Sequence, residues 1–309
     1  MTGNDVEKPW AMKEGFLIGG GLILVGLLLE LSVGPVVWEA FAWPVNGVAL
    51  AGFLMVVAVA YLLRKQVYAF RFIGTYQAAI PTLVYAVVLT IVMGLTRQTA
   101  DGVWLNSMLT FWPFVLIYVY MAVILGQIII RRTLHFNNVR RDVPFLLNHF
   151  GLLLAMTTAT LGNADMQRLK MITVVGEPEW RALTQEGAVR EMPLAIELKR
   201  FIMDTYDDGS PKRFASEISI EVRGEGQEVR GASKIQATVD VNKPVEVDGW
   251  KIYQYGYDTQ MGAMSQTSIL ELVSDPWLPL VYTGIYMMLA GAVCMFVFGK
   301  GVKGKLKGS

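Results

Sequence analysis

Six apolar runs, each long enough to cross a lipid bilayer, constrain the fold of this chain more than any other feature. About 20 residues are needed to span the hydrocarbon core as a helix. The runs predict membrane helices near residues 15–33, 45–63, 79–95, 109–130, 144–162 and 276–298. The first run is too long for a signal-peptide core and lacks a small-residue cleavage site, so it is predicted to be a permanent helix. The chain is therefore predicted to be a polytopic α-helical membrane protein.

The basic residues of the short loops predict the orientation of these helices. Loops 34–44 and 96–108 contain Arg97 as their only basic residue. The segments that flank the opposite ends of the apolar runs are rich in lysine and arginine. The basic positions are Lys8, Lys13, Arg64, Lys65, Arg71, Arg131, Arg132, Arg140, Arg141, Lys300, Lys303, Lys305 and Lys307. By the positive-inside rule, both termini are predicted to be cytoplasmic and residues 163–274 extracytoplasmic.

Residues 163–274 change from continuous apolar runs to an alternation of apolar and polar residues. "EISIEVR" at 217–223 and "IQATVDV" at 235–241 alternate with a period of two, and turn residues such as "RGEGQ" at 223–227 separate such segments. This pattern predicts antiparallel strands with one buried face. We expect a β-sandwich or a partly open barrel, in which Tyr253, Tyr255 and Tyr257 share one face. The predicted organisation is a membrane domain at 1–162, a β domain at 163–274, and a sixth membrane helix with a basic tail at 275–309.

Charge and cysteine content exclude several classes of function. The formal net charge is +1, so no overall field favours nucleic acid as a partner. The single cysteine, Cys294, allows no intrachain disulfide and no CxxC pair. Only two histidines exist, His135 and His149, and no Ser-His-Asp set can be assembled in the predicted outer domain.

His149 is an ionisable residue inside an apolar run, "PFLLNHFGLLLAMTTATLG" at 144–162. Such residues are costly in a bilayer and commonly mark functional sites. We place the start of the helix at Pro144, with Asp142 as a cap, so that His149 lies in the cytoplasmic leaflet. On a helical wheel, a stripe of Asn148, Gly151, Ala155, Thr158 and Gly162 predicts close packing against another helix. His149 flanks this stripe, either facing a ligand pocket or as a neutral histidine bonded between helices.

Two further polar residues are candidates near this position. Gln127, at the inner end of the fourth run, could hydrogen-bond the ring nitrogen of His149 that does not face a ligand. His135 lies in the basic loop "RRTLHFNNVRR" and is interpreted as a solvated residue near anionic headgroups.

Five segments in order resemble the ResB (CcsB) family of system II cytochrome c maturation. These segments are "WAMKEGFLIGGGLILVGLLLE", "LLNHFGLLLAMTTATLGNADMQRLKM", "MPLAIELKRFIMDTYDDGSPKRFASEISI", "VNKPVEVDGWKIYQYGYD" and "SDPWLPLVYTGIYMMLAG". The resemblance covers nearly the whole chain, with its strongest parts at 145–170 and 193–290.

The resemblance implies a subunit that moves haem b from the cytoplasm to the outer face of the bacterial cytoplasmic membrane. There the haem is attached to CxxCH apocytochromes c, with a CcsA-type membrane protein as partner. It also implies that His149 is an axial haem ligand, with Asn148 and Gln127 as neighbours of the site. The resemblance further implies a subunit of a cytochrome c haem lyase or synthase complex that lacks a full catalytic site of its own, and no catalytic residue is assigned.

Two departures from the family pattern limit what is carried over. Many members have "NHP" before the aromatic strand, whereas this chain has "NKP" with Lys243. The tryptophan-rich haem-handling motif of the CcsA-type partner is absent. Two alternative functions remain open: a haem-free scaffold that docks the partner or the apocytochrome, and a transporter that acts alone.

Overall fold

The structure of the chain is a computed structural model that describes residues 9–99, 102–222 and 234–298. It divides into two units. One unit comprises Met1–Ala164 with Trp277–Ser309, and the other comprises Asp165–Pro276. The turn predicted at 223–227 and the basic tail that follows residue 298 lie outside the described residues.

The first unit is helical. Within the described residues, six of its helices are long and apolar enough to span a bilayer. These are α1 (Met12–Val33), α2 (Val45–Leu63), α4 (Tyr76–Leu95), α5 (Trp112–Leu134), α6 (Val139–Gly162) and α7 (Leu278–Phe298), with the short helix α3 (Tyr68–Ile73) between α2 and α4. The predicted fold class is confirmed for this unit.

Helix α6 begins earlier than the sequence predicted. It starts at Val139, so Pro144 lies inside the helix and not at its first position. Asp142 also lies within the first turn, where its carboxylate accepts the backbone N–H groups of Asn137 and Asn138, both at 2.9 Å. His149 is therefore ten residues from the helix start, or about 15 Å along the axis at 1.5 Å per residue. The predicted start at Pro144 placed His149 only about 7–8 Å along the axis.

Helices α6 and α7 pack closely through glycines, as the small-residue stripe predicted. Gly151 and Gly284 face each other, and a Cβ atom at either position would come within 2.6 Å of the other's carbonyl oxygen. Towards the two ends of the contact, Asn148 lies against Gly291 and Gly162 lies against Trp277. The absence of side chains at these points lets the two backbones approach.

The second unit is a single antiparallel sheet, in which eight strands lie within the described residues. They are β1 (Gln167–Val174), β2 (Pro178–Leu183), β3 (Val189–Thr205), β4 (Pro211–Val222), β5 (Ile235–Asp240), β6 (Val245–Val247), β7 (Trp250–Tyr257) and β8 (Thr267–Ser274). Their order is β5-β4-β3-β2-β1-β8-β7-β6, so β8, the last strand along the chain, pairs with β1, the first.

The short connection between β5 and β6 brings the two outer strands of the sheet together. The backbone N–H of Lys243 donates to the carbonyl of Asp240 at 3.0 Å, and Asn242 adopts a φ of 63°. Asparagine tolerates this left-handed conformation better than most residues. The sheet is therefore nearly closed into a barrel, in agreement with the predicted partly open barrel, and the "NKP" segment forms the closing turn with Lys243 exposed.

Alternating apolar residues fill the inside of this sheet, as their periodicity predicted. The fully buried members of the core include Met171, Leu194, Ile196, Leu198, Ile218, Ile220, Val239, Ile252, Leu270 and Leu272.

The prediction that Tyr253, Tyr255 and Tyr257 share one face of β7 is wrong for Tyr257. A bulge between Gln254 and Gly256 shifts the register, so that Tyr257 pairs with the buried Ser268. Tyr257 then stacks on Phe201 with ring centroids 5.0 Å apart. Because the extra residue in a bulge reverses the alternation, Tyr257 does not share the face of Tyr253 and Tyr255.

Candidate functional site

His149 is a half-buried side chain on α6, and one of its ring nitrogens is already bonded. Its Nδ1 lies 2.8 Å from the carbonyl oxygen of Phe145, one helical turn earlier. A carbonyl oxygen can only accept a hydrogen bond, so Nδ1 carries the proton in this arrangement. The neutral imidazole then has its lone pair on Nε2, which has no hydrogen-bond partner among the described residues. This is the tautomer that a metal ligand needs.

An aromatic stack fixes the plane of the imidazole. The rings of Phe145 and His149 have centroids 3.8 Å apart and planes inclined by only 19°. The pair is possible because residues four apart lie on one face of a helix. On the phenyl ring of Phe145, the Arg132 guanidinium carbon lies 4.9 Å from the centroid. A cation, a phenyl ring and an imidazole thus form one contiguous group between the end of α5 and α6.

Asp142 anchors this group at the start of α6. Its side chain is fully buried, and an oxygen of its carboxylate lies 2.6 Å from a guanidinium nitrogen of Arg132. The same carboxylate accepts a hydrogen bond from Arg141 Nε at 3.2 Å and from the backbone N–H groups of Asn137 and Asn138. A carboxylate near a helix N-terminus is favoured by the helix dipole, and the arginines neutralise its charge.

The other two predicted site residues, Asn148 and Gln127, donate hydrogen bonds to backbone carbonyls and, within the described residues, not to His149. Asn148 donates to the carbonyl of Pro144 at 2.8 Å and lies against α7 at Gly291. Gln127 is buried and donates to the carbonyl of Val57 in α2 at 2.8 Å. In the part of the chain that the structure describes, no hydrogen bond joins either side chain to His149. The structure therefore places Phe145 against His149 and Arg132 against Phe145. It places Asn148 and Gln127 at contacts between helices.

His135 occupies a different environment. It follows the last residue of α5, is exposed, and has its Nδ1 2.8 Å from the carbonyl oxygen of Arg131. Among the described residues, no group of three or more His, Cys, Asp or Glu side chains could hold a metal ion.

The β unit carries a shallow groove of about 200 Å³ lined by Lys170, Ile172, Glu179, Arg181, Ala182, Leu183 and Val189. Its charges are largely paired. Arg181 donates a hydrogen bond to Glu179 at 2.8 Å, and chiefly this bond lowers the pKa of that carboxyl to about 2. The ammonium of Lys170 lies 3.9 Å from the ring centroid of Tyr255. We assign no chemistry to this groove, because its acid and its bases already have partners.

A family model described as the ResB-like family matches residues 138–271. Over these residues the chain is similar to the ResB-like family. The matched region begins one residue before α6 and ends within β8, so it contains His149 and most of the β unit. The family predicted from the sequence motifs is confirmed, and the match supports a role in cytochrome c maturation.

One solved structure with a similar chain is titled "Cytochrome c Heme Lyase CcmF". The two chains share 15% sequence identity with a TM-score of 0.36, and the similarity covers 93% of this chain and 46% of that one. The chain thus corresponds to less than half the length of that neighbour. No curated protein matches the chain significantly.

Proposed function

We propose that this chain is the haem-handling membrane subunit of a system II cytochrome c synthase. In this proposal it receives haem b from the cytoplasmic side and passes it to the outer face of the bacterial cytoplasmic membrane. There the two thiols of a CxxCH apocytochrome add across the haem vinyl groups, which requires no leaving group. The chain supplies a ligand for the haem and no catalytic residue for the addition.

The observation that carries the proposal is the state of His149 within a ResB-like region. Its Nδ1 is committed to the backbone, and its Nε2 lone pair is available for iron. A bond from iron to Nε2 would satisfy a polar atom that the apolar surroundings otherwise leave without a partner. Leu152, three residues further along α6, is exposed, so the helix face that carries His149 also presents an apolar surface to a flat, apolar porphyrin.

A single histidine supplies one axial bond. His135 is bonded to its own helix end and is exposed, so it is not proposed as the second ligand. We therefore propose that a CcsA-type partner supplies the other axial histidine. The haem propionates would lie towards the basic residues around the α5–α6 connection, of which Arg131 and Arg140 are exposed.

The absorption spectrum of the purified chain, with and without a CcsA-type partner, tests this function. We expect a weak haem Soret band for the chain alone and a strong one, typical of six-coordinate low-spin haem, for the complex. Joint ligation explains the difference, because each protein alone leaves one axial position to solvent.

The same measurement separates the proposed function from both alternatives, the haem-free scaffold and the transporter that acts alone. A complex without a haem band favours one of these two alternatives. Tight stoichiometric haem binding by the isolated chain, with both axial ligands from it, contradicts the shared site.

The proposed orientation is tested by labelling single cysteines from outside the cell. In a Cys294→Ser background, cysteines are introduced at Ser210, exposed between β3 and β4, and at Ser309, which lies outside the described residues. An impermeant thiol reagent applied to intact cells should label position 210 and not position 309. Labelling of position 309 in cells shown to be intact would reverse the topology.

A further inference from the structure

The contacts around Phe145 assign a role to residues that do not themselves offer a ligand to haem. The imidazole of His149 can rotate about two side-chain bonds, and its Nε2 can bind iron only in a narrow range of orientations. The bond from Nδ1 to the Phe145 carbonyl and the 3.8 Å stack on the Phe145 ring restrict both rotations. Phe145 thus contributes a backbone acceptor and an aromatic face to the same histidine.

Phe145 is itself held by a partly buried arginine, Arg132. The Arg132 guanidinium lies against its ring, and the Nε atom of Arg132 is buried with no hydrogen-bond partner among the described residues. Leaving this donor unpaired is costly, and attraction to the aromatic ring offsets only part of the cost. Asp142 keeps Arg132 in this position through the 2.6 Å ion pair, and Asp142 is tied to the backbone at Asn137 and Asn138.

We propose that Phe145, Arg132 and Asp142 are positioning residues that preset the ring of His149 for axial ligation. This inference rests on the proposed function and adds to it a chain of contacts from the α5–α6 connection to the ligand. The helix start, by way of Asp142 and Arg132, fixes the phenyl ring, and the phenyl ring fixes the imidazole. Preset ligands bind more tightly, because less side-chain freedom is lost on binding.

The experiment compares Phe145→Leu with Phe150→Leu in the complex with the partner. Phe150 is an exposed aromatic residue of the same helix, so its replacement is a matched control for the loss of a phenyl ring. Phe145→Leu retains the backbone carbonyl but removes the stack. We expect its haem affinity to fall about threefold to tenfold, as for the loss of an aromatic pair. Its ferric spectrum should also show a high-spin fraction that added imidazole converts to low-spin.

Two further variants test the contact of Arg132 with Phe145 and the need for an aromatic ring at position 145. Arg132→Lys keeps the charge but loses the planar group, and it should give the same high-spin fraction to a smaller extent. Phe145→Trp restores an aromatic face and should recover the low-spin spectrum. A purely structural role for Phe145 would instead lower the yield of the complex and leave the spectrum of the bound haem unchanged.

The possible failures are distinguishable. If Phe145→Leu and Arg132→Lys both give the same spectrum and affinity as Phe150→Leu, while His149→Ala loses haem, the positioning role is wrong and the proposed function stands. If His149→Ala itself keeps the haem with an unchanged spectrum, both are overturned.

Discussion

Replacing His149 by alanine is expected to remove most of the haem that copurifies with the complex and most cytochrome c maturation, while the protein remains in the membrane and bound to its partner. The loss of a direct ligand should lower haem affinity by at least the ~10–100-fold that is typical for losing an outer partner of a metal ligand. Insertion should be unaffected, because an apolar residue replaces a polar one in a membrane helix. Haem content per complex and the yield of covalently attached cytochrome measure the two effects.

His135→Ala is the matched control, since it removes the only other histidine of the chain. His135 is exposed and bonded to the end of α5, so its replacement should change haem content little. If His135→Ala abolishes haem binding and His149→Ala does not, the two assignments are exchanged. If neither variant matters, the chain is a scaffold.

Replacing Gly284 by leucine is expected to separate α7 from α6. A Cβ atom at this position would lie 2.6 Å from the Gly151 carbonyl oxygen and 2.9 Å from Ala155 Cβ, so the backbones must move apart before a leucine fits. Overpacking of a tight contact commonly costs about 1–3 kcal/mol, and a full leucine against backbone atoms should lie at the upper end or beyond. The midpoint of thermal unfolding in detergent should fall clearly, and a disulfide between cysteines engineered into α6 and α7 should form poorly.

Gly52→Leu is the control for this prediction, because among the described residues no atom beyond the adjacent backbone of α2 lies within 4 Å of a Cβ at that position. It adds the same side chain to a membrane helix without entering a helix contact. Equal thermal midpoints for the two variants would contradict the close packing of α6 and α7.

The length of the apolar runs and the alternation in the strands were sufficient to predict most of the fold. The length of the apolar runs located the six long helices, because a helix needs about 20 apolar residues to span a bilayer. The alternation in "EISIEVR" and "IQATVDV" located β4 and β5, because burial of one face imposes a period of two on a strand. The stripe of small residues on α6 predicted a close helix contact, which α7 provides at Gly284.

What periodicity missed depends on single local interactions. The start of α6 was misplaced because Pro144 was taken as its first residue. In the structure the Asp142 carboxylate accepts the backbone N–H groups of Asn137 and Asn138, just before the observed start at Val139. The inward position of Tyr257 follows from one bulge in β7, which no alternation pattern can reveal.

The candidate site was predicted only in its central residue. An ionisable residue in an apolar run pointed to His149, and the spacing of four residues to Phe145 could have suggested a stacked pair. The contact of Arg132 with Phe145 could not be predicted, because it depends on how the α5–α6 connection folds back. Gln127 was named for its expected depth alone, and its bond to Val57 in α2 is a tertiary contact that depth does not specify.

The most direct test of the central claim, that His149 ligates haem through Nε2, is rescue of His149→Gly by free imidazole. Glycine leaves a space where the ring stood, and imidazole in solution can place its own nitrogen at the iron. With the partner present, we predict that His149→Gly binds little haem in a low-spin state, and that added imidazole restores the low-spin spectrum in a saturable manner. A low-spin spectrum of full intensity in His149→Gly without imidazole would contradict the account.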